Sequence, residues 1–163
     1  MIIHIKNKDT LIVKNFIFKC CVGVNGLNKK KIEGDKSTPV GIFKLGTLYY
    51  RPDKVSKPKT KLKSKKINKY MGWCNDPSNK KYNKEIILSK NIKSEKLYRK
   101  DYKYNYFILI KYNYTKVIPN FGSAIFINLT KNYKPTVGCI GLLEKDFKII
   151  LKLINQKTKI KIG

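Results

Sequence analysis

The strongest constraint on this chain is the shortness of its apolar segments. The longest aromatic and aliphatic run, Tyr106 to Ile110, is only five residues. Most of the others are two to four residues long and are rich in Ile, Val, Phe and Tyr. Lysines, asparagines and glycines separate them. Such segments suit β-strands, and they exclude a helical bundle or a membrane span, which needs about 20 apolar residues. Strand-like alternation recurs at Ile3 and Ile5, Leu11 and Val13, and Phe16 to Val22, and Lys159 to Ile162 alternates strictly. Asn7-Lys8-Asp9-Thr10 reads as a hairpin turn. Helical spacing is clear once, from Leu143 or Glu144 to Ile154, where Phe147, Ile150, Leu151 and Ile154 share a face. Ser94 to Arg99 also suggests a short helical turn capped by Ser94. We therefore expect a mainly β fold of about seven to nine short strands with one C-terminal amphipathic helix.

With 163 residues, the chain is long enough for one domain with its own core, and a single domain over 1–163 is expected. Residues 52–69 are dense in lysine and lack periodicity apart from Val55, Leu62 and Ile67, so they read as a long solvated excursion. The net charge of +27 raises the question of nucleic acid. However, the lysines occur in nearly every segment, and no nucleic-acid-binding pattern focuses them. A general drift towards Lys, Asn and Ile explains the charge better than a specific nucleic-acid partner, although any polyanion will be attracted to such a surface. No signal peptide is visible, because His4, Lys6, Lys8 and Asp9 interrupt the first apolar residues.

The four cysteines, Cys20, Cys21, Cys74 and Cys139, contain no CxxC pair, and His4 is the only histidine. This argues against a zinc site, and no metal or cofactor is expected. The cysteines are expected to be free thiols, most of them packing residues. Cys139 differs from the others. Gly138 precedes it, leaving backbone space, and the coming helix directs its positive end towards it, an arrangement that suits a reactive thiol. His4 is either a base brought to Cys139 or an ordinary strand histidine, and the second reading is favoured. Asp76 is either a contact for an amine or the start of an Asp-Pro turn, with Trp73 as a core plug.

Three segments together resemble the L,D-transpeptidase (YkuD-like) catalytic-domain family. They are Glu33-Gly34-Asp35 with Thr38-Pro39-x-Gly41-x-Phe43, then Gly72-Trp73-Cys74-Asn75-Asp76-Pro77 with Tyr82-Asn83, and Gly122-Ser123-Ala124-Ile125-Phe126 through Thr136-x-Gly138-Cys139-Ile140-x-Leu142. The resemblance implies a β-sandwich-like fold with short helical turns, a periplasmic or cell-wall setting, and peptide stems of peptidoglycan as partner. It places Cys139 as nucleophile, forming a thioester that passes to an amine of a neighbouring stem or to water. Backbone N–H groups at Gly138 and Cys139 are implied as the oxyanion hole. Trp73, Asp76, Tyr82, Ser123 and Thr136 are the expected substrate contacts.

The family's catalytic histidine falls on Asn128. An amide cannot take a thiol proton near neutral pH, so this substitution opens a second reading, a catalytically impaired relative that binds wall peptides or a partner enzyme. A basic field and a helix N-terminus are expected to replace part of the histidine's work by lowering the thiol pKa. Gly141 and Leu143 also depart from the family pattern, where alanine and a helix-capping serine are common.

Overall fold

The computed structural model describes residues 1–29 and 31–163. Its longest strand, β6 (Gly41–Tyr50), runs through the middle of the main sheet. Antiparallel to it on one side is β11 (Tyr106–Ile110), followed by β12 (Phe126–Leu129) and then, in parallel, β13 (Ile140–Leu142). On its other side lies β14 (Lys159–Ile162), then β1 (Ile2–Ile5), β2 (Thr10–Val13) and β3 (Phe16–Lys19). A short bridge joins the two ends of this order. Just beyond β3, the Cys21 N–H donates to Gly141 O at 3.0 Å and the Gly141 N–H donates to Cys21 O at 2.8 Å. The sheet thus curls back on itself, and most of its edge is covered.

Alternation along each strand decides what goes inside. Ile3, Ile5, Leu11, Val13, Leu48 and Ile160 are completely buried within the curl. Lys159 and Lys161, one residue out of phase with Ile160, face water. Each fully buried aliphatic side chain contributes about 1.5–3 kcal/mol. The helix α1 (Glu144–Leu153) packs Phe147, Ile150 and Leu151 onto this core, and Phe147 stacks on Tyr106 with centroids 5.9 Å apart. Leu143 sits at its N-cap and makes no side-chain cap bond, as the loss of a capping serine implies.

A second layer covers the opposite face of β11 and β12. There β8 (Met71–Cys74) lies between β9 (Glu85–Ile87) and β10 (Ser94–Lys96). On β11, Tyr106, Ile108 and Ile110 join the inner core, whereas Phe107 and Leu109 point out to meet Trp73, Met71 and Leu97. The expected sandwich-like, mainly β fold with a C-terminal helix is therefore what the chain adopts. Cys139 belongs to this outer cluster, between the curled sheet and the second layer.

Three local expectations change. Residues 94–96 form β10, a strand fixed by pairing with β8, so the Ser94-capped helical turn is absent. The lysine-rich excursion is anchored, because β7 (Ser64–Lys66) pairs with β6 and both Leu62 and Ile67 are buried. The strand count rises to fourteen among the described residues, since several pairings are only two or three residues long, such as β4 (Leu27–Asn28) with β5 (Thr38–Pro39).

Candidate active site

Gly138 makes a close backbone approach just before the cysteine. Its φ is +138°, and a Cβ there would lie 2.9 Å from Ser37 O. The backbone space expected at Gly138 is thus taken up; glycine is needed because another chain segment fills it. That segment is the Thr-Pro motif. Thr38 Oγ1 donates to Gly138 O at 2.8 Å and accepts from the Gly23 N–H at 2.9 Å. Asp35 fixes the preceding turn by accepting from Lys31 Nζ, the Ile32 N–H and both the N–H and hydroxyl of Ser37. Burial opposes its ionisation, yet these donors hold its carboxyl at about 2.

Cys139 is 6% exposed and its Sγ–H donates to Ala124 O at 3.4 Å. Ala124 lies in the left-handed region, with φ at +54°. Asn83 holds it there: its Oδ1 accepts from the Ala124 N–H at 3.0 Å and from Trp73 Nε1 at 2.9 Å. The Asn83 amide donates onward to Tyr112 O and Asn113 O. The second family-like segment therefore acts on the site through Asn83, beside the tryptophan that drew attention in the sequence.

Two cavities, of about 220 and 450 Å³, meet at Cys139. Glu95, Tyr104, Val137 and Cys139 line both. The smaller extends past Lys31, Glu33, Lys36, Asn75 and Ser123. The larger extends past Arg99, Lys103, Asn128, Lys134 and Thr136. Cationic side chains thus border both sides of the thiol.

The helix does not assist this thiol. Cys139 precedes β13, and three strand residues separate it from the Leu143 cap and from Glu144. Its pKa is pushed up to about 12, by burial first and by the Glu95 carboxylate second. The Phe126 N–H, the Lys31 ammonium and the Tyr104 hydroxyl favour the thiolate but do not offset burial. The expected lowering is therefore reversed, and the resting sulfur is a thiol at neutral pH.

Asn128 lies on the wall of the larger cavity, 6% exposed, and its Oδ1 has no partner among the described residues. Ser123 lines the smaller cavity and Thr136 the larger. Thr136 Oγ1 also accepts from the Gly138 N–H at 3.0 Å, which occupies that donor, while the Cys139 N–H has no backbone acceptor among the described residues. The remaining expected contacts sit elsewhere. Trp73 is 1% exposed in the outer core. Tyr82 is buried, donating to Glu33 and accepting from the Gly122 N–H. Asp76 accepts from the N–H and hydroxyl of Ser78 in its own turn. None of these three lines the two cavities. His4 is on β1, three strand positions from β13 by way of β2 and β3, or roughly 14 Å at about 4.8 Å per strand.

Lys31, Glu95 and Tyr104 escaped the sequence reading. A signal for Glu95 existed: the chain has only ten acidic residues, and the scarcity that drew attention to Asp76 applies equally to it. Lys31 is the one buried lysine among the described residues, and nothing in its run of neighbouring lysines distinguishes it.

A curled β-sheet backed by a second layer, with a recessed cysteine where two cavities meet, is the class of domain these elements define. The family model for the L,D-transpeptidase catalytic domain, YkuD, matches residues 2–162, and the chain belongs to that family. No curated protein and no solved structure matches the chain. The family acts on peptidoglycan, and no helix among the described residues is long and apolar enough to cross a membrane.

Proposed function

We infer that the chain is one L,D-transpeptidase-type cysteine acyltransferase domain acting on peptidoglycan peptide stems. Cys139 attacks the carbonyl of the third stem residue, the amine of the fourth residue leaves, and the acyl group of the thioester passes to an amine of a neighbouring stem. The observation that carries this reading is that Cys139 lines both cavities. One side can receive the acyl donor while the other admits the attacking amine. The Cys139 N–H is the oxyanion donor in this scheme, because the Gly138 N–H is occupied by Thr136. The Asn128 Oδ1, buried without a partner, is placed to accept a substrate N–H.

The same residue favours the second reading, a relative that binds stem peptides without turnover. Losing general acid–base help typically costs about 10²–10⁴ in rate. Incubation with a tetrapeptide stem or a penem, followed by intact mass, separates the two. The acyltransferase reading expects an adduct on the native protein that is absent in Cys139→Ala. An adduct seen only in Asn128→His shows a site disabled by that single change, as the second reading expects.

A further inference from the structure

The site retains a carboxylate that the family histidine's absence leaves unexplained. Glu95, on β10, lines both cavities with Cys139. Its side chain is 25% exposed, and its Oε1 accepts a hydrogen bond from the Tyr104 hydroxyl. Arg99 approaches the same oxygen at 3.5 Å. Tyr104 also packs in the same outer cluster as Cys139 and lines both cavities with it. One phenol, bonded to a carboxylate, therefore shares the walls of both cavities with the thiol.

Tyr104 is also held firmly. Its ring packs against Phe107 and Phe126, with centroids at 5.0 and 5.9 Å, and the Arg99 guanidinium lies over it at 4.9 Å. Arg99 is fixed by two bonds to Asp101 Oδ2, 2.6 and 2.8 Å long. A hydroxyl carried on so well packed a ring has little freedom to point elsewhere.

We propose that Glu95, acting through the Tyr104 hydroxyl, is the general acid–base of this site in place of the missing histidine. This rests on the acyl-transfer reading of Cys139. In the forward step the Sγ–H turns from Ala124 O to Tyr104 Oη. The sulfur's proton passes to Oη, the phenol's own proton passes to Glu95 Oε1, and the sulfur's electron pair forms the bond to the stem carbonyl carbon. When the tetrahedral intermediate collapses, its C–N bond breaks. The departing amine takes a proton from Tyr104, which is refilled from Glu95, so the carboxylate is regenerated beside a neutral thioester. Deacylation by the incoming amine runs the same transfers in reverse.

The physical case concerns charge. A histidine base creates an ion pair from two neutral groups. Here the enzyme's single negative charge only moves, from carboxylate to sulfur, and no new charge is made in a poorly solvated place. The same transfer removes the repulsion between the Glu95 carboxylate and a Cys139 thiolate, which holds the resting thiol protonated. Burial raises the Glu95 pKa above 4.5, against the lowering effects of Tyr104 and Arg99, and Glu33 and Asp101 push in the same direction as burial. A carboxylate made more basic in this way is a better proton acceptor. A phenol raised well above 10, as Tyr104 is, carries protons without ionising itself.

The test is the rate of penem acylation at Cys139 against pH, read by intact mass, in the native protein, Glu95→Gln, Tyr104→Phe, and each of these combined with Asn128→His. Both single variants keep side-chain shape, and thermal unfolding checks their folding. The relay expects each to slow acylation by at least about 10²-fold. It also expects the native rate to fall on the acid side as Glu95 protonates, above the ordinary glutamate range. In Glu95→Gln/Asn128→His the rate recovers, and its acid limb moves to near 6.5, where an imidazole titrates. Acylation of both single variants within a few-fold of native overturns the relay but leaves the acyltransferase reading standing. A native protein that is not acylated also overturns the relay. In that case, acylation of Asn128→His shows a site shaped for the reaction but disabled, and its failure removes the acyl-transfer reading as well.

Discussion

Asn83 serves four polar groups with one side chain, accepting from Trp73 and Ala124 and donating to Tyr112 O and Asn113 O. It is 1% exposed, so removing its amide strands partners that water cannot reach. Asn83→Ala is expected to cost about 2–4 kcal/mol, which for a domain of this size lowers Tm by about 5–15 °C. Its effect reaches the site, since Ala124 then lacks the bond that keeps its carbonyl on the Cys139 thiol. Thermal unfolding measures the first effect, and acylation by a penem at a temperature where the variant is folded measures the second. Asp35 carries a pH dependence of definite sign. Its folded pKa of about 2 lies below the ordinary 3.8, so the stability it supplies is present above about 4 and is lost as pH falls towards 2. Asp35→Asn lacks that contribution, and its Tm should fall less than the native protein's across that acid window.

Where strand ends meet, the departure of Gly141 from the family pattern acquires a cause. A Cβ at Gly141 would lie 2.6 Å from the Cys21 sulfur, and the two residues exchange the hydrogen bonds that close the sheet. Alanine at this position would force the Cys21 sulfur to shift. Gly141→Ala should destabilise by about 1–3 kcal/mol, as overpacking does, and Cys21→Ala in the same chain should recover most of it. A double-mutant cycle on denaturant midpoints reads that coupling, and additivity of the two changes would refute it. Elements also explain what could be read from sequence. The helix at 144–153 follows from local periodicity and the strand at 106–110 from its aromatic and β-branched content, and Cys139 stood out through its own neighbours and its motif. The Ser94 to Lys96 strand was hidden because its pairing with β8 overrides local capping propensity, and Glu95 was hidden along with it. The thiol's distance from the helix was equally hidden, since the intervening Ile140–Leu142 strand gains its identity only by lying beside β12. Trp73 and Asp76 drew attention as unusual residues, yet one plugs the outer core and the other folds its own turn.

The whole molecule carries a net charge of +27, and its described residues contain only a few ion pairs, most of them partly exposed. Self-repulsion on this scale opposes the compact state and is screened within about 10 Å at 0.1 M salt. Raising monovalent salt from about 10 to 200 mM is therefore expected to raise Tm, and an unchanged or lower Tm would argue that the charges are already compensated. The same field draws in anionic polymers. Retention on nucleic acid is expected to vanish over that salt range without sequence preference, because the described basic residues are spread over many segments and no recognition element concentrates them.

The first strand pairs in parallel with the last, Ile2 beside Lys159 and Ile5 beside Ile162. Among the described residues, β14 is also the only link in the main sheet between β6 and β1. The amino-terminal hairpin therefore reaches β6 only through residues 159–162, and a chain without them would leave that edge of β6 open. Removing either the first or the last of these strands would therefore expose an unpaired sheet edge.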